Sequence, residues 1–259
     1  MGKTSVYIGT SGYSYPHWGD GLFYPHGLAS NKWLEYYCRH FDSVELNVSF
    51  YRLPSPAAFS SWRRRTPSHF RFAVKGSRYI THLKRLKDSL PGLELFFSRA
   101  QKLEDKLSVV LWQLPPQFKL NLPRLTEFIA NLAKIAVCRQ VVEFRHPSWF
   151  NPDVFRLLKD NDITLCSADW PPYSQEAPTA APADLLHKSK TQGQATGFVY
   201  IRRHGTTGRL YGGCYSKKQL KQDVSFIESS GKDCYIYFNN DANAWAVKNA
   251  LTFKELLQK

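Results

Sequence analysis

The residues of this chain with the clearest chemical potential are polar side chains near the ends of short apolar segments. They comprise three carboxylates, three cations, one histidine and three amides: Glu45, Glu143 and Asp169; Lys75, Arg145 and Arg202; His204; Asn47, Gln113 and Asn239. Histidine titrates near neutrality and a carboxylate can orient it, so the set suits general acid–base catalysis. The three carboxylates and His204 would also suit a divalent metal, although the nearby cations would repel the ion. A third interpretation is a charge-balanced salt-bridge network that stabilises the fold.

Lys75 admits two further kinds of chemistry. A lysine whose pKa is lowered by burial can form a Schiff base with a carbonyl compound. Nearby carboxylates would instead favour the charged ammonium group. The sequence therefore predicts that Lys75 pairs with Glu45 or Glu143 and helps to bind an anion, with Schiff-base formation as the lesser alternative.

An anion site is predicted directly after the seventh apolar segment. The chain there reads His204-Gly205-Thr206-Thr207-Gly208-Arg209. Glycines allow backbone amides to converge on an anion, and threonine hydroxyls and an arginine add further donors. Gly205, Thr206 and Arg209 are therefore candidate anion ligands, together with Arg202 and Arg145.

Aromatic residues near the same segment ends could stack on bases or sugars. With His82, they complete the predicted binding set: Tyr13, Trp18, Tyr51 and Trp149. A single aromatic residue in a loop is more often a packing residue, so this interpretation depends on the group as a whole.

The elements that must position these residues are eight short segments rich in β-branched and aromatic residues. Their cores read VYIG, VELNV, FRFAV, VVLWQL, VVEF, ITLCSA, FVYIR and YIYF, and most of the stretches between them have a helical pattern. Alternating strands and helices indicate right-handed βαβ units and a parallel sheet. Eight such units predict an α/β fold, namely a single (β/α)₈ TIM barrel with a closed eight-stranded parallel sheet, in which residues 1–259 form one domain.

Strand alternation assigns each side chain to one face of that sheet. Successive strand residues point to opposite sides, so Val44 and Leu46 face the helices while Glu45 faces the barrel interior. The same pattern places the other ionisable and amide residues inside, toward the carboxyl ends of their strands. Because TIM-barrel enzymes carry their active sites at that end, we expect these residues to meet at one mouth of the barrel.

Ordered motifs along the chain are similar to those of one known family. They are Ile8–Pro16, Val44–Asn47, Phe50–Pro54, Phe72–Lys75, Tyr79–His82, Gln113–Pro116, Glu143–His146 with Ser148 and Trp149, Tyr200–Gly205 and Phe238–Asn240. With these motifs the chain resembles the YecE-like family of TIM-barrel proteins, whose function is unknown. Tyr13 stands where the family usually has tryptophan, and Val48 stands where it usually has serine or threonine. The resemblance implies the barrel fold but no particular reaction.

Composition restricts the kind of partner. The chain has 35 Lys and Arg against 21 Asp and Glu, a formal net charge of +14, and two segments without any acidic residue, 47–87 and 185–222, carry the excess. This asymmetry favours an anionic partner, either a small molecule or nucleic acid. The five cysteines show no metal-binding or disulfide pattern. Without a membrane-spanning stretch or a secretion signal, we expect a cytoplasmic protein that does not associate with membranes.

These observations favour an enzyme that acts on a phosphate-bearing substrate at the carboxyl-end mouth of the barrel. The substrate would be a nucleotide, a nucleic acid or a phosphorylated metabolite, and a hydrolase or lyase using acid–base or metal-assisted chemistry would fit. A protein that binds a nucleotide or nucleic acid without turnover is the alternative interpretation. An interaction scaffold would explain the charge but not the polar residues inside the barrel.

Overall fold

Parallel strands and helices alternate along the chain, as the hydrophobic pattern predicts. The computed structural model describes residues 4–169, 196–207 and 211–258. Within them, the strands are β1 (Val6–Thr10), β2 (Ser43–Leu46), β3 (Arg71–Lys75), β4 (Leu107–Gln113), β5 (Arg139–Glu143), β6 (Ile163–Leu165), β7 (Ser167–Ala168), β8 (Phe198–Arg203) and β9 (Asp233–Phe238).

The α-helices lie between these strands and after the last one. They are α1 (Trp33–Tyr37), α2 (Val48–Tyr51), α3 (Pro56–Arg64), α4 (Leu90–Ala100), α5 (Leu122–Ile135), α6 (Pro152–Asp160), α7 (Lys217–Ser230) and α8 (Trp245–Leu257). Shorter 3₁₀ turns occupy Pro16–Trp18, Ser30–Lys32, Gln101–Lys106, Pro147–Trp149 and Ala242–Ala244, and a π turn occupies Tyr79–Leu83.

Local sequence explains where several helices begin and end. The side chains of Asn121 and Asn151 accept hydrogen bonds from the first amides of α5 and α6, and each helix has a proline in its first turn. Ser216 and Gln219 form a reciprocal capping box at the start of α7. Gly231 ends that helix in the left-handed conformation, with a φ of 60°, which glycine adopts without steric cost.

The hydrogen-bonded sheet differs from the prediction. The strands form two parallel sheets, one of four strands in the order β1-β9-β8-β7 and one of five strands in the order β2-β3-β4-β5-β6. The expectation of an α/β fold with parallel strands is confirmed. The expectation of one closed eight-stranded sheet is wrong, because the ladder is interrupted at two boundaries.

The first boundary lies inside the sixth apolar segment. Cys166 separates β6 from β7: its amide still bonds to Val142 of β5, whereas Ser167 pairs with Ile201 of β8. One predicted strand therefore contributes to both sheets, with three residues in the five-stranded sheet and two in the four-stranded sheet.

The second boundary lies between β1 and β2. The Tyr37 hydroxyl accepts a hydrogen bond from the Thr10 amide at 2.9 Å and donates one to the Ser43 carbonyl at 3.1 Å. A side chain thus satisfies backbone groups that would otherwise pair across the boundary. A single parallel bridge, between Ser11 and Glu45, links the two strands at their carboxyl ends.

Side chains alternate between two buried layers, as the period of two predicts. The layer between strands and helices includes Val44, Leu46, Phe72, Val74, Trp112, Val142 and Ile201. The layer enclosed by the strands holds a smaller cluster: Ala73, Val109, Leu111, Val141, Cys166, Phe198, Tyr200, Tyr235 and Tyr237. The enclosed layer forms the floor on which the polar site is built.

Helix length and hydrophobicity bear on membrane insertion. Among the residues that the structure describes, no helix has both the length and the apolar character needed to cross a bilayer.

Candidate active site

Arg202, on β8, lies at the centre of the polar site. Its Nη2 donates to Oε1 of Glu45 at 2.8 Å, and its Nη1 donates to Oε2 of Glu143 at 2.6 Å. All three side chains are buried. The predicted convergence of these residues from β2, β5 and β8 is therefore present, and one guanidinium bridges two carboxylates.

Further donors complete the coordination of both carboxylates. Glu45 accepts from Ser11 and Tyr200, each at 2.7 Å, and Glu143 accepts from Nε of Arg145 at 2.8 Å. Burial alone would raise the pKa of each carboxyl, but Arg202 and these donors outweigh it and hold both pKa values below the ordinary one. Glu45 and Glu143 are therefore ionised at neutral pH.

His204 is enclosed next to this network. Its Nδ1 accepts from the Asn239 amide at 3.1 Å, which leaves the proton on Nε2, 3.6 Å from Oε1 of Glu143. Burial, followed by the charge of Arg202, lowers the pKa of the imidazole to about 4. The ring is therefore neutral at physiological pH, and it faces a carboxylate at a distance slightly too long for a hydrogen bond.

Lys75, at the carboxyl end of β3, is buried with only 8% of its surface exposed. Its Nζ lies 3.9 Å from the centre of the Phe50 ring, and no carboxylate of residues 4–169, 196–207 or 211–258 is within ion-pair distance. The prediction that Lys75 pairs with Glu45 or Glu143 is therefore wrong, because arginines occupy both carboxylates. Burial and the charges of Arg202 and Arg145 lower the pKa of Lys75 to about 7.

Three other predicted residues surround this end of the sheet. His82 packs edge-on against the Phe50 ring at 4.8 Å, and burial and the charge of Lys75 lower its pKa to about 4. Asn47 directly follows β2, and its Oδ1 is buried without a hydrogen-bond partner among the described residues. Gln113 is buried at the end of β4.

Asp169 belongs to a second cluster. It accepts from the His204 amide at 2.8 Å and from the Tyr215 hydroxyl at 2.7 Å, and Arg203 lies 3.7 Å away. Arg203 forms a bidentate pair with Asp223. Burial raises the pKa of Asp169 to about 6, although Arg203 partly offsets it. Asp169 therefore stabilises the loop after β8 through its hydrogen bonds to His204 and Tyr215.

The predicted metal ligands are divided between these two clusters. Glu45 and Glu143 pair with Arg202, whereas Asp169 is engaged by Tyr215 and the His204 backbone. Over the described ranges, no three residues of the His, Cys, Asp and Glu types are grouped so that they could hold a metal ion. The four-residue ligand set inferred from the sequence is therefore not assembled in this arrangement.

The loop after β8 uses its amides internally. Gly205 donates to the Tyr215 hydroxyl at 2.7 Å, while Thr206 and Thr207 donate to the Gly212 carbonyl at 2.9 and 3.4 Å. Gly205 has a φ of 133°, and a Cβ there would lie 2.2 Å from the Gly212 oxygen, so a glycine is required. The predicted convergence of these amides on an anion is not present, and the predicted ligand Arg209 lies outside the described residues.

The aromatic residues separate into buried and accessible ones. Trp18 and Trp149 are fully buried, and their indole N–H groups bond to Asp241 and to the Phe118 carbonyl, so both have packing roles. Tyr51 is 79% exposed. A cavity of about 420 Å³ lies beside it, lined by Gly12, Tyr13, Ser14, Tyr15, Leu46, Asn47, Val48, Tyr51 and Trp62. Of the predicted aromatic set, Tyr13 and Tyr51 are thus placed where they could contact a ligand.

Comparison with known proteins identifies the family. The model of the family described as "Protein of unknown function DUF72" matches residues 7–259. The chain belongs to this family. The UPF0759 protein YunF of Bacillus subtilis (strain 168) is 27% identical over 289 aligned residues, which cover 97% of this chain and 94% of YunF. A solved DUF72 family protein from Thermotoga maritima is 31% identical with a TM-score of 0.82, covering 98% of this chain and 100% of the other.

The resemblance to the YecE-like family is confirmed as well. The UPF0759 protein YecE of Escherichia coli (strain K12) is 34% identical over 146 residues, which are 56% of this chain and 50% of YecE. The aligned part thus spans about half the length of that relative. DUF72 is a family of unknown function, so the reaction must be inferred from the site itself.

Sequence reasoning missed several residues that shape this DUF72 site. Ser11 and Tyr200 bond to Glu45, and Phe50 packs beneath the Lys75 ammonium. Strand alternation places Tyr200 on the same side of the sheet as Arg202, and Ser11 belongs to the Ile8–Pro16 motif, so the sequence contained a signal for both. No local pattern distinguishes Phe50 from an ordinary packing residue of α2.

Proposed function

We propose that this protein is an enzyme that acts on a phosphate-bearing substrate at the carboxyl-end mouth of the strands and uses Lys75 for proton transfer. One observation carries the proposal: Lys75 is a buried amine without a carboxylate partner among the described residues, and its pKa is lowered to about 7. A general acid or base works best when its pKa lies near the operating pH.

The balance of charge supports an anionic substrate. Glu45 and Glu143 carry two negative charges, which Arg202 and Arg145 offset. When Lys75 is protonated, the group has one positive charge in excess. A buried charge is unfavourable unless an opposite charge compensates it, so this cluster favours the arrival of an anion. The same pairing removes the repulsion that free carboxylates would have exerted on phosphate.

The neighbouring cavity supports a substrate larger than phosphate. Its volume of about 420 Å³ is within the range of small-molecule sites, and Tyr13 and Tyr51 belong to its lining. Asn47 lines this cavity. It directly follows Leu46, which pairs with Val74, the residue before Lys75 on β3. A nucleotide or a phosphorylated metabolite could therefore place its phosphate near Lys75 and the rest of the molecule against the aromatic rings.

The test is calorimetric titration with inorganic phosphate and with AMP at pH 7, repeated in buffers of different ionisation enthalpy. An anion near Lys75 raises the pKa of the amine, so binding should be accompanied by the uptake of up to about half a proton. Lys75→Met should abolish the proton uptake and weaken binding, whereas Lys84→Met, which removes a lysine from the π-turn region, should leave both unchanged.

Two results would contradict the proposal. One is the absence of saturable binding of either anion to the wild type. The other is equal proton uptake by wild type and Lys75→Met, which would place the titrating group elsewhere.

Binding without turnover is the second candidate, because the enclosure of Arg202 and His204 within internal pairs also suits a rigid binding scaffold. Turnover of a panel of nucleotides and sugar phosphates separates the two functions. An enzyme should convert at least one compound, and Lys75→Met should lose that conversion. Binding of the same compounds with no conversion by the wild type would favour the scaffold.

A further inference from the structure

We infer that the Lys75 amine is a nucleophile that forms an imine with an aldehyde or ketone, so that the substrate class is a phosphate-bearing carbonyl compound. The phosphate part of this inference rests on the proposed function above. The imine itself depends on the surroundings of Lys75 alone.

A comparison within the molecule shows what distinguishes Lys75. Lys106 is equally buried, at 6% exposed, but its Nζ donates to the carbonyls of Arg63 and Thr66 and to the Thr66 hydroxyl at 2.6 to 3.0 Å. Those three bonds use every N–H of the ammonium and stabilise the charged form, although burial still lowers the pKa of Lys106 from its ordinary value. The Nζ of Lys75 has an aromatic ring as its neighbour and no hydrogen bond within the described part of the chain.

The electrostatic surroundings favour the neutral amine. Arg202 and Arg145 act on Lys75 in addition to burial, and both Glu45 and Glu143 are already paired with arginines. With a pKa of about 7, about half of the Lys75 amine is neutral at pH 7. An exposed lysine with a pKa of about 10.4 is neutral in only about one molecule in 2,500 at that pH. Lys75 therefore has on the order of a thousandfold more of the reactive form.

The chemical step is balanced with groups that the site and its solvent supply. The lone pair of the neutral amine attacks the carbonyl carbon, and one of its two N–H protons passes through solvent to the carbonyl oxygen, which gives a neutral carbinolamine. The hydroxyl takes a second proton from solvent and leaves as water while the nitrogen lone pair forms the carbon–nitrogen double bond. The nitrogen keeps its remaining hydrogen, so the product is an iminium ion whose positive charge attracts a substrate phosphate.

The experiment is reductive trapping of the full-length protein with glyceraldehyde 3-phosphate or glyceraldehyde, using cyanoborohydride and peptide mass spectrometry. Hydride reduces the iminium carbon and leaves a stable secondary amine on the modified lysine. We expect Lys75 to be labelled faster than every other lysine, with the phosphorylated probe preferred. With glyceraldehyde, the labelling rate of Lys75 should rise between pH 6 and 8 and then level off; with the phosphorylated probe, whose anion raises the pKa of the amine, the rise should occur at higher pH. The labelling rates of exposed lysines should continue to rise toward pH 10.

Lys106 is the internal control because it matches Lys75 in burial and differs in its hydrogen bonds. It should remain unlabelled. Lys75→Arg keeps the positive charge but cannot form an imine, so it should remove this label while leaving the labelling of exposed lysines unchanged.

The outcomes separate the two proposals. Selective labelling of Lys75 with equal preference for both probes would support the nucleophile and contradict the phosphate substrate. Labelling of Lys75 no faster than that of exposed lysines would overturn the nucleophile, and the proposed function would still stand if phosphate-linked proton uptake persisted. Loss of both the labelling and the proton uptake would overturn both.

Discussion

Replacing Arg202 by methionine should destabilise the protein strongly, because it leaves two buried carboxylates without their shared counterion. Arg202 bonds to Glu45 at 2.8 Å and to Glu143 at 2.6 Å, and all three side chains are buried. Removing one partner of a buried ion pair typically costs about 3–5 kcal/mol. For a chain of this size, that loss lowers the melting temperature by on the order of 10 °C.

The pH dependence of this loss identifies its cause. In the wild type, the pKa of Glu45 is held below the unfolded value of about 4.3, so its contribution to stability is present above that pH and is lost as the pH falls. In Arg202→Met, burial should dominate and raise the pKa of Glu45 above the unfolded value. Its ionisation then opposes folding, and the variant should recover stability relative to wild type as the pH falls from 7 toward 4.

Urea unfolding at several pH values measures both effects. Arg156→Met is the matched control, since it removes the same side chain from an exposed pair with Asp153 and should cost about 0–1 kcal/mol. Adding Glu45→Gln to Arg202→Met should restore part of the lost stability at pH 7, because it removes one stranded charge. A loss no larger than that of the control, or a wild-type pH profile in Arg202→Met, would refute the assigned ion-pair network.

Three further substitutions test other parts of the site. Burial raises the pKa of Asp169 to about 6, so ionisation of this carboxyl destabilises the fold as the pH rises. In urea unfolding, Asp169→Asn should therefore lose less stability than the wild type between pH 4 and 7. Gly205→Ala should lower the unfolding free energy by about 1–3 kcal/mol in calorimetry, because the new Cβ would meet the Gly212 carbonyl. Gly231→Ala should lower it less, because a Cβ at position 231 would enter open space. Tyr51→Ala should change the unfolding free energy by less than about 0.5 kcal/mol. In titrations it should weaken the binding of AMP more than the binding of inorganic phosphate.

Strand alternation was sufficient to place Glu45, Glu143 and Arg202 together. Glu45 and Glu143 each stand between two apolar residues that pack against helices, and Arg202 follows one, Ile201. A period of two then leaves only the interior for the polar side chain. The carboxyl ends of parallel strands lie at one edge, so the convergence followed from the fold class. The pairing of each carboxylate with a particular cation could not be predicted from the sequence, because it depends on how far each side chain extends across neighbouring strands. That pairing leaves Lys75 without a carboxylate partner among the residues that the structure describes.

Neither the two boundaries between the sheets nor the conformation of the loop after β8 could be predicted from the sequence, because both depend on contacts between residues far apart in the chain. Tyr37 bonds to backbone groups of both Thr10 and Ser43, a contact that no local pattern of α1 indicates. In the loop, Gly205 and Thr206 have the composition of an anion site, but the same glycines allow the chain to fold back on the Gly212 carbonyl. Composition permits both arrangements, and the hydrogen bond from the Gly205 amide to the Tyr215 hydroxyl favours the second.

The role of Lys75 is tested most directly by the pKa of its amine in the folded protein. Selective ¹³Cε labelling of lysine, with Lys75→Arg to assign the resonance, follows this titration by NMR in the absence and presence of phosphate. A buried Lys75 amine beside two arginines predicts a midpoint near pH 7 that moves upward when phosphate binds. A midpoint near the ordinary lysine value of about 10.4, unchanged by phosphate, would contradict it.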